Sequence, residues 1–509
     1  MKRFFVHTVL FALAAFAGPA RADVRLPAIF SDHMVLQRGV KVPVWGTAEA
    51  GDRVTVKVAG QQHAATADAN GDWRVSLEPV EAADPVEMTV AGKNTITVKD
   101  VLVGEVWLCS GQSNMGFALK NATNGAAAVK AADRPTIRLF TVGRAHPDAP
   151  QADLTGKWEV CSPETVGGFS AVAYFFGAEL QKELNGPVGL IQSSWGGTRA
   201  EAWIPRPTFD ALKLPYEPAW TEEWLNPKPK PGAKRPPKSR PHGAPAGLFN
   251  GMIAPLAGYG MRGVVWYQGE ANTAYPAEYR RVLGALVTSW RDAWASAGGV
   301  QGQLLSASAT SETGGAKSEG TGAGVSASGS QKPRNFPFFV VQLPNFDSGT
   351  RDWVALRESQ AAVARELPNV GLVVTIDVGT PRDIHPQNKL PVGQRLALAA
   401  RKLAYGQDVV ASGPVFRSMQ VSGPTATLTF DHADGGLVSK TPVLDSFELA
   451  GADGKFVPAE AKVAGDTVVL TAVSVPTPQS VRYAWANNPK CGLFNGADLA
   501  AAPFEGQKD

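Results

Sequence analysis

The sequence of 509 residues is poor in cysteine and in charged side chains. Its three cysteines are Cys109, Cys161 and Cys491, so at most one pair can form and a disulfide scaffold is excluded. No Cys-x-x-Cys or Cys/His spacing indicates a structural zinc site. Charged residues make up 19% and hydrophobic residues 44%, which is typical of a globular protein and excludes a wholly disordered chain.

Several motifs that carry familiar chemistries are also missing. The chain has no P-loop and no His-Glu-x-x-His metalloprotease motif. Residues 258–263 fit Gly-x-Gly-x-x-Gly, but they precede a predicted strand and do not join a strand to a helix, which argues against a dinucleotide site. No Gly-x-Ser-x-Gly surrounds Ser113, so an α/β-hydrolase nucleophile elbow is excluded.

The net charge of the chain is +3, but most of the chain is not basic. Residues 1–22 carry three cations and residues 228–240 carry six, and neither segment contains an acid, so the remainder has a net charge of −6. This balance gives no reason to expect a nucleic-acid partner.

The amino terminus has the pattern of a signal peptide. Two cations are followed by a short apolar run and by Ala20-Arg21-Ala22, which is typical of a cleavage site before Asp23. No later apolar stretch is long enough to span a membrane, so we expect no membrane anchor. The sequence therefore predicts export to the periplasm or the extracellular space.

The length predicts several domains. After the signal peptide (1–22), short alternating strands over 23–103 predict a β-sandwich, and short strands return in a β-rich domain over 409–509. Between them, residues 104–408 alternate strand-like and helix-like segments, which predicts an α/β domain with a mostly parallel sheet. Two low-complexity stretches, 226–247 and 302–335, are interpreted as surface insertions in that domain.

Four polar clusters follow apolar strands of the α/β region, where open parallel sheets place their sites. Ser113 follows the first strand beside a glycine, which suits a nucleophile as well as a plain turn. Gly196 and Gly197 follow the second strand, where exposed backbone N–H groups can stabilise an oxyanion.

The other two clusters supply a third donor and a base. Gln268 follows another strand as a further oxyanion donor, with Glu270 and Asn272 in supporting roles. His385 is one of only seven histidines and has Asp383 two residues before it. Together the clusters contain the parts of an acyl-transfer site.

These blocks, GQSNM, SWGGT, WYQGEAN and DIHPQNK, together with the closing SVRYAWANNPKCGLFNGADLAAAPF, resemble the sialate O-acetylesterase family. That family belongs to the SGNH hydrolase superfamily, close to carbohydrate esterase family six. The resemblance implies a flavodoxin-like three-layer α/β/α SGNH hydrolase core, here between two small β-domains. It also implies an acetylated carbohydrate substrate, such as acetylated sialic acid, xylan or xyloglucan, and no metal or cofactor.

The resemblance assigns residues to roles by motif match. Ser113 would be the nucleophile and His385 the base, with oxyanion donors from Ser113, Gly196 or Gly197, and Gln268. The superfamily places an acid three residues before the histidine, but Arg382 stands there in this chain. Either Asp383 or a backbone carbonyl therefore orients His385. The oligomeric state stays open.

Two other functions fit parts of the sequence. An exported glycosidase needs a carboxylate pair, for which Glu270 with Glu105 or Glu201 is available, but it leaves Ser113 and His385 without a role. A non-catalytic carbohydrate-binding protein is the second alternative. Four aromatic residues near the blocks fit either a sugar platform or ordinary core packing: Trp195, Trp203, Trp266 and Tyr267.

Overall fold

The structure is a computed structural model that describes residues 23–215, 243–297, 335–347, 349 and 352–509. The predicted signal peptide, and residues 226–242 and 302–334 of the two predicted insertions, lie outside the described residues. No helix within the described ranges is long and apolar enough to cross a membrane. All three cysteines are described and none of them forms a disulfide.

Seven strands form the amino-terminal part and lead into the centre of the molecule. They are β1 (Val35–Gln37), β2 (Val42–Thr47), β3 (Arg53–Val58), β4 (Gln61–Thr66), β5 (Asp72–Leu77), β6 (Val86–Ala91) and β7 (Thr95–Gly111). In β3 the buried residues are Val54, Val56 and Val58, because alternate side chains of a strand face the same side. Strand β3 pairs with β4 and β6, while β2 pairs with β5.

Strand β7 is 17 residues long and belongs to two parts of the fold. Its first half pairs with β6, and its second half, from Glu105 to Gly111, pairs with strands of the central sheet. The predicted domain boundary between residues 103 and 104 therefore falls inside one continuous strand. This continuity fixes the amino-terminal strands directly to the element that leads to Ser113.

The central sheet adds six strands to β7. They are β8 (Arg134–Thr141), β9 (Trp158–Cys161), β10 (Val188–Ser194), β11 (Gly263–Tyr267), β12 (Phe338–Val341) and β13 (Val370–Val373). Their order is β13-β12-β11-β7-β10-β8-β9, and every neighbouring pair is parallel except β8 with β9. This confirms the prediction of an α/β core built on a sheet with helices.

Seven α-helices lie in the described residues. They are α1 (Gly125–Lys130), α2 (Pro163–Val166), α3 (Ala171–Leu184), α4 (Arg206–Leu212), α5 (Pro276–Ala297), α6 (Trp353–Glu366) and α7 (Leu390–Leu403). Helices α3 and α7 share one hydrophobic cluster with Trp107 and Cys109 of β7. Helices α5 and α6 share another with Val106 and Leu108, so alternate residues of β7 face opposite helical layers.

The carboxyl-terminal part is all β. Its strands are β14 (Val415–Ser422), β15 (Thr425–Asp431), β16 (Leu437–Ser439), β17 (Phe447–Ala450), β18 (Val457–Pro458), β19 (Glu460–Ala464), β20 (Thr467–Thr471), β21 (Ser480–Tyr483), β22 (Leu493–Asn495) and β23 (Phe504–Gln507). Two four-stranded sheets, β14-β15-β20-β19 and β18-β17-β21-β23, contribute to a single hydrophobic cluster. Their shared core is separate from the two cores of the central sheet.

A buried arginine joins this part to the central domain. Arg357 of α6 is fully buried and donates hydrogen bonds to the carbonyls of Leu343 and Pro344 and to those of Ala486 and Asn487. The first two carbonyls follow β12 and the other two follow β21. The guanidinium therefore holds a carboxyl-terminal loop against the carboxyl edge of the central sheet.

The strand order sets the position of the candidate site. The strands that follow β7 in the chain lie on both sides of it. Strands β8 to β10 are on one side, and strands β11 to β13 are on the other. Ligands of open α/β sheets bind at the carboxyl ends of strands where the order reverses in this way. Ser113, Gly196 and Gln268 follow β7, β10 and β11 respectively, so all three blocks meet at this point.

Candidate active site

A strained glycine turn carries Ser113 out of the sheet. Gly111 ends β7 with a φ of 137°, a conformation that residues with a side chain rarely adopt. A Cβ atom on Gly111 would lie 2.1 Å from the carbonyl oxygen of Tyr267 in the neighbouring strand. Only glycine therefore lets the chain turn here, and the turn leaves Ser113 partly exposed at the sheet edge.

Ser113 is hydrogen-bonded to the histidine that the sequence paired with it. The Nε2 atom of His385 lies 2.7 Å from Oγ of Ser113. Burial and the nearby charge of Lys389 lower the pKa of His385, while Asp383 opposes them. The imidazole is therefore neutral near pH 7 and can accept the hydroxyl proton.

Asp383 contacts His385 through the backbone. Its Oδ1 atom accepts a hydrogen bond from the backbone N–H of His385 at 2.9 Å. Among the described residues no hydrogen bond joins the Asp383 carboxylate to the imidazole ring. Thr380 donates its hydroxyl to the Asp383 carbonyl, which closes the same short loop. Asp383 thus shapes the loop that presents His385 and acts on the ring only through space.

Two glycines that follow the end of β10 lie in the same cavity as Ser113. A Cβ on Gly196 would lie 3.2 Å from the Cβ of Ser113, so the two backbones are in close approach. Gly197 has a φ of 73°, in the left-handed region that glycine favours. No described residue accepts a hydrogen bond from the backbone N–H groups of Ser113, Gly196 or Gly197, which leaves these donors available to a ligand.

An open cavity lies above these groups. Its volume is about 530 Å³, which suits a small-molecule site. The residues that line it are Gln112, Ser113, Gly196, Gly197, Glu270, Ala271, Thr273, Ala274, Ile384 and His385. Ser113, His385, the glycine turn and the loop after β11 therefore share one solvent-accessible space.

Gln268 does not point into this cavity, although the sequence predicted it as an oxyanion donor. Its side chain is fully buried, and its Nε2 atom donates to the carbonyl of Thr198 and to Oδ1 of Asn272. Both amide hydrogens are therefore used. Because Thr198 follows Gly197 directly, Gln268 holds the glycine turn in place from behind.

Asn272 belongs to the same buried network. Its Oδ1 accepts from the backbone N–H of Ala200, and its Nδ2 donates to both carboxylate oxygens of Glu201. Glu201 is fully buried and is paired with Arg199. These contacts connect the loop after β11 to the segment after β10. Asn272, which the sequence placed in a supporting role, therefore holds these two segments together.

Neither Glu105 nor Glu201 lies opposite Glu270 in the cavity, as a glycosidase carboxylate pair would require. Glu105 lies six residues before Gly111 in β7, which at roughly 3.3 Å per residue places it about 20 Å from the cavity. Its carboxylate is buried between Arg38 and Arg262. Glu201 is likewise enclosed and does not line the cavity. Glu270 therefore has neither partner across the site.

The aromatic residues near the blocks mostly form core. Trp203, Trp266 and Tyr267 are fully buried, and the indole of Trp266 packs edge-on against those of Trp203 and Trp290. Trp195 is only partly buried, and the Arg144 guanidinium lies 5.5 Å from the centre of its ring. Of the four candidates, only Trp195 is not fully buried, and it does not line the cavity.

Two residues at the site were missed at the level of the sequence. Asn114 follows Ser113 directly and is fully buried, and Lys389 lies just before α7 with its ammonium group also buried. Lys389 donates to Oδ1 of Asn114, and Nδ2 of Asn114 donates to Glu270. Both lie inside the GQSNM and DIHPQNK blocks, so the signal was their position in the same motifs as Ser113 and His385.

Within the described ranges, no three His, Cys, Asp or Glu side chains are grouped as metal ligands would be. The carboxylates near the cavity are instead bonded to amides and cations of the protein. The arrangement offers a hydroxyl, a neutral imidazole and free backbone N–H groups, which are the components of covalent acyl transfer.

Comparisons with known proteins agree with this chemistry. A model of the family described as carbohydrate esterase, sialic acid-specific acetylesterase, matches residues 103–220. The chain is 28% identical to the sialate O-acetylesterase of Rattus norvegicus, covering 97% of this chain and 96% of that protein. It is 29% identical to the Homo sapiens protein, with 94% and 91% covered.

A solved structure is also similar over nearly the whole molecule. It is a carbohydrate acetylesterase from Xanthomonas citri, with a TM-score of 0.79 and 34% sequence identity. The alignment covers 95% of this chain and 100% of that chain. The similarity therefore extends beyond the central sheet to the flanking β-regions.

Proposed function

The chain belongs to the sialate O-acetylesterase family of carbohydrate esterases and is a carboxylic ester hydrolase, and on that premise we propose that it acts through an acetyl-serine intermediate on Ser113. The observation that carries the proposal is the 2.7 Å contact between Ser113 Oγ and His385 Nε2 inside the cavity. A nucleophile and its base must be within hydrogen-bond reach for such catalysis.

The proposed reaction has two halves. His385 Nε2 takes the Ser113 proton as Oγ bonds to the acetyl carbonyl carbon, and the bond to the sugar oxygen then breaks as His385 returns the proton to that oxygen. In the second half, water gives a proton to His385 and attacks the acetyl-serine. The bond between Oγ and the acetyl carbon breaks as His385 returns the proton to Ser113 Oγ, and acetic acid leaves and ionises to acetate.

The proposed oxyanion hole consists of backbone donors alone. The N–H groups of Ser113, Gly196 and Gly197 line the cavity and have no acceptor among the described residues. A developing negative charge on the carbonyl oxygen is stabilised by such fixed dipoles. Gln268 contributes indirectly, because its bond to the Thr198 carbonyl fixes the turn that carries Gly196 and Gly197.

We propose that His385 works in a serine–histidine pair with Asp383 as an electrostatic and loop-shaping partner. The support is that Asp383 bonds the backbone N–H of His385, while its charge raises the pKa of the ring. This arrangement differs from a triad in which the carboxylate accepts a hydrogen bond from the imidazole.

The proposal extends to fold type, location and substrate. Helices on both faces of the sheet and a site at the strand-order reversal support an SGNH-type three-layer core, and the two packed carboxyl-terminal sheets support a flanking sandwich. The signal-peptide pattern supports export to the periplasm or outside the cell. The substrate is an O-acetylated carbohydrate, either acetylated sialic acid or a plant hemicellulose.

Acetate release from a panel of acetylated sialic acids, xylans and xyloglucans tests the proposal, with Ser113→Ala as the control. We expect release from at least one sugar class and none in the variant. Mass spectrometry during turnover should show one acetyl group on the peptide that contains Ser113. Glycan binding without acetate release from any member would instead favour a binding protein.

A further inference from the structure

We propose that Asn114 is a positioning residue. Its carboxamide, which Lys389 and Glu270 hold in place, fixes the Ser113 turn relative to the His385 loop. The inference rests on the proposed function, since it concerns the alignment of that nucleophile and base. Neither the family comparisons nor the sequence motifs assign a role to Asn114 or Lys389.

Asn114 makes three side-chain hydrogen bonds in this part of the site. Its Nδ2 atom donates to the backbone carbonyl of Ile384 at 3.0 Å and to Oε1 of Glu270, while its Oδ1 atom accepts from Nζ of Lys389. The side chain is fully buried. Both amide hydrogens and the carbonyl oxygen are thus engaged with three residues, which fixes the orientation of the amide.

The contacts fall one residue from each reacting group. Asn114 is the neighbour of Ser113 in the chain, and Ile384 is the neighbour of His385. A hydrogen bond between these neighbours ties two backbones that are otherwise far apart in the chain. Because a displacement of about 1 Å at reacting atoms costs about 10²-fold in rate, such a tie has a direct effect on catalysis.

Lys389 fixes the orientation of the amide and balances a buried charge. Its ammonium lies 5.1 Å from the ring centre of Phe117 and 5.3 Å from that of Tyr267, and the carboxylates that act on it are those of Glu270 and Asp383. Burial lowers the pKa of Lys389 to about 7 and raises the pKa of Glu270, and each of the two charges counters the shift of the other.

None of the three residues takes part in proton transfer directly. Within the described part of the chain, no hydrogen bond joins Asn114, Lys389 or Glu270 to Ser113 Oγ or to the His385 ring. Asn114 therefore acts on the reaction through the placement of these two groups, and Lys389 adds to this a positive charge that lowers the pKa of His385. A role of this kind predicts a loss in kcat with little change in KM.

The test compares Asn114→Leu and Lys389→Met with Lys402→Met, a matched control. Lys402 lies in the last turn of α7, the helix that Lys389 precedes, but it is half-exposed and paired with Asp408 at the surface. For p-nitrophenyl acetate we expect kcat to fall about 10²-fold in the first two variants, KM to stay within about twofold, and the control to match the native enzyme.

A second measurement isolates the alignment of Ser113 and His385 from sugar binding. Diethyl p-nitrophenyl phosphate phosphorylates an activated serine and releases one p-nitrophenolate. Its reaction rate should fall in parallel with kcat in Asn114→Leu. Ser113→Ala should not react at all, and a reactive Ser113→Ala would show that the proposed nucleophile is wrong, separately from the role of Asn114.

A charge-balance variant completes the test. Lys389→Met leaves the Glu270 carboxylate without its cation, and adding Glu270→Gln removes that charge while keeping an acceptor for Asn114. We expect the double variant to recover at least about tenfold of the lost kcat. A melting temperature for each variant controls for loss of fold. A folded Asn114→Leu variant with native kcat would overturn the proposal. If that variant fails to fold, native kcat in Lys389→Met would overturn it.

Discussion

The Nε2 atom of His385 lies 2.7 Å from Oγ of Ser113, although the two residues are 272 positions apart in the chain. This contact follows from strand order, because β7 ends and the segment after β13 begins at the carboxyl edge of one parallel sheet.

Ser113→Ala should lower kcat for p-nitrophenyl acetate by a factor on the order of 10⁴ to 10⁶. The melting temperature should not change, since Ser113 is at the cavity surface. A folded variant that retains full activity would contradict the assignment.

The pH dependence of kcat/KM should reflect the lowered pKa of His385. Because the base must be neutral, activity falls as pH drops through that pKa, and the acidic limb is expected below the ordinary histidine value of 6.5. Lys389→Met removes a cation that lowers this pKa, so the limb should move to higher pH. Asp383→Asn removes an anion that raises it, so the limb should move to lower pH. Two shifts in the same direction would contradict this electrostatic picture.

Asp383→Asn should also cost little in rate. In a triad whose carboxylate is bonded to the imidazole, the corresponding change costs about 10⁴-fold in kcat. Here the bond goes to the backbone N–H of His385, and an asparagine Oδ1 can still accept it. We expect a decrease of less than about tenfold at the pH optimum. A loss near 10⁴-fold would show that the carboxylate reaches the ring during catalysis.

The sequence predicted the outline of this site because strand ends in an α/β sheet are recognisable. Ser113, Gly196 and His385 each follow an apolar strand, and parallel pairing brings those ends together. Gln268 and Asn272 also follow a strand. Their partners, the Thr198 carbonyl and the Glu201 carboxylate, come from the end of β10, so their buried direction depends on tertiary contacts that a linear pattern does not contain.

Asn114 and Lys389 were missed for a related reason. Asparagine and lysine beside a turn are usually solvated, and nothing in their spacing indicates that both are buried. The boundary predicted at residues 103/104 depended on a change in pattern from short strands to alternating strands and helices. Strand β7 runs through that point, because one extended segment can pair with β6 at its start and β10 at its end.

The turn at Gly111 should not tolerate a side chain. In Gly111→Ala the new Cβ would meet the Tyr267 carbonyl, and the φ of 137° would be strained as well. We expect a lower melting temperature and a loss of about 10²-fold in kcat, because the Ser113 turn must shift. Gly284→Ala is the control, since a Cβ there meets nothing within 4 Å inside α5. It should keep native kcat and gain up to about 1 kcal/mol in stability. Equal effects at both sites would contradict the packing argument.

Glu105 should be essential for stability and irrelevant to chemistry. Its buried carboxylate lies six residues before Gly111, where β7 enters the central sheet, and it pairs with Arg38 and Arg262 and accepts from Gln37 and Tyr405. Glu105→Ala leaves these donors without an acceptor and should lower the free energy of unfolding by about 3 kcal/mol, measured by denaturant titration.

The same carboxylate gives acid sensitivity with a defined sign. Hydrogen bonds and charges from Arg262, Gln37 and Arg38 outweigh its burial and lower the pKa of Glu105. Its contribution to stability is therefore present above the ordinary carboxyl range and is lost as pH falls through the lowered pKa. Glu105→Gln should flatten the acid limb of the stability curve, while kcat per folded molecule stays native. A folded Glu105→Gln without esterase activity would instead mean that Glu105 is coupled along β7 to the Ser113 turn, and it would reopen a catalytic role for this carboxylate.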